Sequence, residues 1–373
     1  MNKHFRWLAT VWALAFTVVI TPASQEKPKA AETPAATKSR ALVIEPFMRV
    51  TNTSPNVVEL QIALRKFSAP GGQGPAVWLT AVSHIGETNY YTAIQKHLDA
   101  QALVLFEGVQ ARAGTNDAAT AAKAAPAGEP PKSEPAKSEL PKKVAKGKPA
   151  PVPDKSAKTT SIQHTLAESL GLVFQLEAID YKRAHFRNSD LSIQELQKIM
   201  EGDPKDGSDG EPAKKNEQLE RLVKVMDGSS FIGKMLAGVI QLIGTSPKLQ
   251  GLTRLALIET LGQIRGDITQ MKGLPPEMQT LMKVLIVERN RAVMKDLKAE
   301  LEKAAPAKSI SIFYGAGHME DFERRLRREL KLEPDETQWL PAFSVDLSKA
   351  GLSKFEAEMI RGMVKRQMEA ILP

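Results

Sequence analysis

The sequence contains no cysteine. That single absence excludes a lipid-modified cysteine anchor, disulfides and any thiolate metal site, so a metal would have to be held by His, Asp or Glu. A long hydrophobic run is also missing. The most apolar stretch, Trp7 to Ile20, falls short of the ~20 residues that cross a bilayer comfortably. The third absence is a charge excess in the folding part of the chain. The formal net charge is +8, but residues 1–24 and 25–40 carry +2 each, and residues 113–160 carry +4 from nine Lys against five Asp or Glu. The remainder balances 36 basic against 36 acidic residues. No basic face follows, and no nucleic-acid partner is expected.

What is present is 373 residues with 42% hydrophobic content, enough for a sizeable buried core. Lys3 and Arg6, the apolar run, and then Pro22, Ala23 and Ser24 have the grammar of an export signal over residues 1–24. Residues 25–40, rich in Ala, Lys, Glu, Thr and Pro, read as a disordered tether. Residues 113–160 are similar, with eight prolines, and read as a disordered insertion within a domain spanning 41–373, because patterned sequence lies on both sides. An exported protein, periplasmic or extracellular, is expected, with membrane contact only through an uncleaved N-terminal segment.

Periodicity places the elements. Ala41 to Val50 and Val57 to Phe67 alternate like two strands of a hairpin. Val77 to Val82, Ala102 to Phe106 and Ser309 to Tyr314 are short apolar runs suited to buried parallel strands. Leu172 to Ile179 and Gln338 to Val345 also read as strands. Thr88 to Leu98, Ile162 to Leu170, Met278 to Ala304, Glu320 to Leu330 and Ser353 to Leu372 have helical period, as does Asn216 to Ile264 with a break near Gly244 and Pro247. The fold class expected is α/β, a largely parallel central sheet covered by helices.

Three polar residues fall at strand ends. His84 follows the run ending at Val82, Glu107 follows Phe106, and His318 follows Tyr314-Gly315-Ala316-Gly317. Open α/β sheets bind ligands at that edge. Two imidazoles and a carboxylate suit a divalent metal that keeps positions for water, and a metal-bound water becomes a nucleophile. A histidine capping each helix is the plainer explanation, and for any one of the three it is the better one.

AVSHIGETNYYTAI with ALVLFEGV, and LIVERNRAVMKDL with SISIFYGAGHMEDFERRL, resemble the paired G-x-x-H signature of the TraB/GumN family, whose relatives include the Tiki metalloproteases, the erythromycin esterases and the haem-binding ChaN proteins. The resemblance implies a helical subdomain inserted between the two G-x-x-H halves. It implies His84, Glu107 and His318 as metal ligands for Mn, Co or Zn, with Glu107 either third ligand or general base. It maps the family's Arg-Asn pair onto Arg289 and Asn290, as positioners or oxyanion donors, and the stretches Phe174 to Tyr181 and Asn188 to Asp190 also resemble a subset of the family, with no role implied. Its first motif departs from the pattern, with Ala81 in place of Gly, a mild change unless the position needs positive φ. The activity implied is an exported metal-dependent hydrolase acting on a peptide or protein. A non-catalytic binder of peptide or haem in the same pocket, and a degenerate scaffold, are the alternatives, and the oligomeric state is left open.

Other conspicuous residues have simpler readings. His97 is expected on a solvated helix face, His164 and His185 as structural, and Tyr90 and Tyr91 as pocket lining or core. Phe231 to Ile243 is expected as a buried helix in preference to a membrane or partner contact. The run Glu323, Arg324, Arg325, Arg327 and Arg328 is expected as a solvated face.

Overall fold

Val77, Leu79, Ala81 and Val82 on one strand, and Ile310, Ile312, Phe313 and Tyr314 on another, are all buried. Runs apolar on both faces can only sit in the middle of a covered sheet. In the computed structural model, which describes residues 44–72, 74–108, 161–201, 231–272 and 276–372, they do. The segments expected as export signal (1–24), tether (25–40) and insertion (113–160), and the helical residues expected over 216–230, lie outside the described residues.

The elements in chain order are β1 (Met48–Ser54), β2 (Val57–Ser68), β3 (Ala76–Val82), β4 (Ile85–Gly86), α1 (Thr88–Asp99), β5 (Leu103–Phe106), α2 (Ile162–Ser169), β6 (Val173–Phe174), α3 (Gln175–Ala178), β7 (Phe186–Asn188) and α4 (Ile193–Glu201). There follow α5 (Phe231–Ile243), α6 (Pro247–Leu261), α7 (Pro276–Lys283), a π-helical turn (Val284–Glu288), α8 (Arg289–Leu301), β8 (Ser309–Gly315), α9 (Met319–Glu329), β9 (Glu333–Asp346) and α10 (Lys354–Ile371). The sheet is mixed. Strands β3, β8, β5 and β7 run parallel in that order, with β8, the last of them in sequence, between β3 and β5. Thr80 and Ser311, buried on facing strands, satisfy each other's hydroxyls at 2.7 Å.

The other half is antiparallel. β9 runs the full length of β2, while the opposite edge of β2 is shared, Val57 to Ile62 pairing with β1 and Leu64 to Phe67 with β3. The long β2 therefore joins the hairpin to the parallel half. The α/β class is borne out, with an antiparallel wing beside the parallel strands. Helix α6 packs on that wing and α10 packs on α6.

Several local expectations change. Leu172 to Ile179 is a two-residue strand followed by the short α3, because β6 has only Ile85 and Gly86 to pair with and the chain then turns to bond His84. His97 is not on a solvated face: its ring meets Trp78 edge-on at 4.7 Å, and burial pushes its imidazolium down to about 4. Glu323 is likewise not solvated. It pairs with Arg65 at 2.5 Å, and each side chain is only 2% exposed. Helix α5 contacts α2, with Ile240 and Ile243 buried. Among the described residues no helix is long and apolar enough to cross a membrane.

Candidate functional site

Because β3 and β8 pair in parallel with Val82 beside Gly315, the turns that carry His84 and His318 leave the same edge of the sheet. Glu107 joins them from β5, its own N–H donating to the Phe313 carbonyl at 3.0 Å. The Gly315 N–H donates to Glu107 Oε2 at 2.8 Å. A Cβ on Gly315 would lie 3.4 Å from that oxygen and 3.5 Å from His84 Nε2. The Gly315 φ of −52° is one any residue adopts, so a methyl there would fit in van der Waals contact and occupy the space between the two side chains. Nor does Ala81 have positive φ, so alanine is accommodated without strain in β3.

Both imidazoles are held by one nitrogen and present the other. His318 Nδ1 lies 2.7 Å from Asn290 Oδ1, while Asn290 Nδ2 donates to the His318 carbonyl (3.1 Å) and to Asp321 Oδ2 (3.0 Å). With the amide oxygen as acceptor, Nδ1 carries the proton and Nε2 keeps its lone pair, 3.8 Å from Glu107 Oε1. His84 repeats the pattern. Its Nδ1 lies 2.9 Å from Gln175 Oε1, and Gln175 Nε2 donates to the Tyr181 hydroxyl at 2.8 Å. Gln175 also donates its backbone N–H to the His84 carbonyl at 2.9 Å, gripping the residue twice. The proton assignment follows from this network.

The corner that bears His84 is clamped from below. Ser83 donates its N–H to the Tyr90 hydroxyl at 3.2 Å, and the Tyr91 hydroxyl donates to the Ser83 carbonyl at 2.8 Å. Both tyrosines are buried, so they belong to the core while positioning the motif. A side chain at Gly86 would strike the Tyr90 ring at 2.7 Å.

Beneath Glu107 lies Arg289, just after the π-helical turn. It donates to Glu107 Oε1 at 2.8 Å and to both oxygens of Asp190, at 2.9 and 2.6 Å. Asp190, whose side chain is wholly buried, also accepts the Gly108 N–H at 3.0 Å. Burial by itself raises the Glu107 carboxyl, but His318, Arg289, His84 and the Gly315 N–H outweigh it and bring it down to about 2. Burial dominates for His318 and lowers its imidazolium to about 4, despite Glu107. At neutral pH His318 is therefore uncharged, and the support for the carboxylate comes from Arg289 and the Gly315 amide. Burial alone would lower the Arg289 guanidinium, but Asp190 and Glu107 hold it above its ordinary value.

The structure thus brings together His84, Glu107, His318, Arg289 and Asn290, all expected from the sequence, and gives a place beside them to Gln175, Tyr181 and Asp190, whose stretches the sequence marked without a role. Ser189-Asp190 follows β7 at the same edge, a strand-end signal of the kind that marked Glu107. Nothing in the local pattern at Gln175 pointed to His84. His164 lies apart, against Glu177 at 2.9 Å, and His185 bonds the Leu98 carbonyl at 3.2 Å. Among the described residues no group of three or more His, Asp or Glu stands close enough to hold a metal. His318 Nε2 nevertheless lies 3.8 Å from Glu107 Oε1, and His84 Nε2 borders the same space beside Gly315 as Glu107 Oε2. Comparison with family models, with curated proteins and with solved structures found no match for this chain.

Proposed function

We propose that the chain is an exported, metal-dependent hydrolase acting on peptides, as its resemblance to the TraB/GumN family and the Tiki proteins implies. One observation carries the reading: two imidazoles that follow adjacent parallel strands are each fixed through Nδ1 by a side-chain amide oxygen, and the Nε2 of each lies beside Glu107, at 3.8 Å for His318 and across the space next to Gly315 for His84. Outer partners that fix a ring's tautomer in this way are what metal-ligating histidines require. Lone pairs opposed across a few ångströms repel unless a cation or a donor lies between them. His84, His318 and Glu107 would hold the ion, manganese, cobalt or zinc. When bound, such an ion acidifies a water and polarises a carbonyl.

The chain's own residues divide the remaining work. Each Glu107 oxygen accepts one N–H and keeps a second lone pair, so the carboxylate is free to serve as third ligand. A carboxyl held down to about 2 is a weak proton acceptor, which favours the ligand role over that of general base. Arg289 spends its Nε and Nη2 donors on Asp190 and Glu107, and Asn290 spends its amide on His318 and Asp321. Those contacts support positioning, not oxyanion binding, for both. The helices between β7 and β8 are read as the subdomain inserted between the two motif halves.

The test is the metal content of the purified protein and of His318→Ala after incubation with manganese, cobalt and zinc. About one ion per chain, lost in the variant, is the expected result. No stoichiometric metal in either protein ends this reading and favours the non-catalytic binder, which a Soret shift on haem addition to metal-free protein, absent in His318→Ala, would reveal.

A further inference from the structure

Beside the His318 turn lies a cleft of about 310 Å³, at the lower end of the range for small-molecule pockets. Phe47, Met48, Ile264 and Ile268 give it an apolar floor, and the charged residues Glu45, Arg265 and Glu320 also line it. Its wall toward the site is the backbone of Ala316 and Gly317, the two residues between Gly315, which bonds Glu107, and His318. Met48 pairs with Ile62, midway along β2 and just past the Leu64–Thr80 pair, where β2 flanks the C-terminal end of β3, so the cleft lies at the same sheet edge as His84 and His318.

The walls are tied to the helix that His318 begins. Arg65 donates to the Glu45 and Pro46 carbonyls at 3.1 and 3.2 Å, and lies 4.2 Å over the Phe47 ring. Its remaining charge is met by Glu323 on α9. On the opposite wall, Asp267 lies 3.6 Å from Arg324 of the same helix, and Arg265 donates to the Met48 and Ile264 carbonyls at 3.5 and 2.7 Å. A fully buried ion pair is a costly way to gain stability, since both charges lose their water. Here it holds a loop at a set distance from the candidate catalytic turn.

We propose that this cleft is a specificity pocket that takes one bulky apolar side chain of the substrate, of leucine or methionine size, next to the bond presented to His84 and His318. This rests on the hydrolase reading above. The apolar floor suits an aliphatic side chain, and Glu45 and Glu320 in the lining repel an acidic one. Gly317 keeps the wall thin: a Cβ there would stand 3.2 Å from Ile268 Cδ1 and would narrow the entrance.

The test uses blocked tripeptides, N-acetyl-Gly-X-Gly-amide with X as Leu, Gly or Asp. Binding is read from the methyl resonance of 13C-methyl-labelled Met48, assigned by its loss in Met48→Leu. The Leu peptide is expected to shift that resonance and the Gly and Asp peptides to leave it unmoved. Ile268→Trp fills the cleft and should weaken the Leu response by about 10-fold or more. Ile264→Ala enlarges it and should admit a Trp peptide that the parent protein rejects, which keeps the idea open to refutation if the filled variant does not fold. No shift with any peptide, or equal shifts with all three, overturns the pocket. Binding is read apart from turnover, so a Leu-selective shift without hydrolysis supports the pocket and counts against the hydrolase.

Discussion

His84 and His318 use the same ring nitrogen in the same way, but in opposite surroundings. His318 is 5% exposed, stacked with Phe322 and edge-on to Tyr314, and its partner Asn290 is fully buried on α8. His84 stands exposed at the mouth, gripped by Gln175 from a helix of a single turn. Burial gives His318 a fixed tautomer and a neutral charge at the expense of adjustability. Exposure leaves His84 dependent on one amide. One half of the site is built into the core and the other is attached to it, so damage to the buried half should reach the whole fold while damage to the exposed half stays local.

The largest effect that could break this contrast is expected from Arg289→Ala. It leaves Asp190 and Glu107 buried without a counter-charge, and a cost of about 3–5 kcal/mol in urea unfolding is expected. A loss under about 1 kcal/mol would mean that the buried half is not part of the core. Next comes acid. The folded-state value of His318, about 4, lies below the ordinary 6.5, so the neutral ring stabilises the fold at pH above 6.5 and that contribution disappears as pH falls toward 4. The shift corresponds to about 3 kcal/mol in metal-free protein, shared in the same window with His97. His318→Gln should flatten the decline of unfolding free energy with falling pH, and an unchanged slope in that variant refutes the buried neutral ring.

The sharpest comparison pairs Asn290→Ala with Gln175→Ala. Each removes the acceptor that fixes one ring, and each should weaken metal binding about 10–100-fold by competition with a chelating dye. Asn290→Ala should cost the more stability, about 1–3 kcal/mol, by leaving the buried His318 carbonyl without its donor, while Asp321 keeps Arg324 and Arg325. Equal stability losses would erase the distinction between the halves. Gly315→Ala should have the smallest effect on the fold and still perturb ion binding, because its methyl would enter the space between Glu107 and His84. Unaltered metal affinity in that variant would place the ion elsewhere.

Strand-end placement made His84, Glu107 and His318 legible in the sequence, because an apolar run ending in a polar residue is a local signal. The relation among them was legible only as far as parallel strands were expected. The role of Gln175 was hidden, since its segment read as a strand and a short helix set by a contact across 91 residues leaves no local trace. Glu323 was hidden for the same reason. Its neighbours Arg324, Arg325, Arg327 and Arg328 have the composition of a wet surface, and only Arg65, from a strand 258 residues earlier, turns that position inward. The antiparallel run of β9 along β2 was equally invisible, because alternation marks a strand without naming its partner.

The position of β8 also governs when this protein can become itself. It is inserted between two strands made long before it, and the Gly315 amide meets a carboxylate 208 residues earlier in the chain. On the ribosome, β3 and β5 emerge with the place between them empty, and they cannot settle until the chain has been made past residue 315. Long-range closure of this kind is slow and leaves apolar edges uncovered in the meantime. A truncation before residue 309 should therefore yield an incomplete sheet with no site at all.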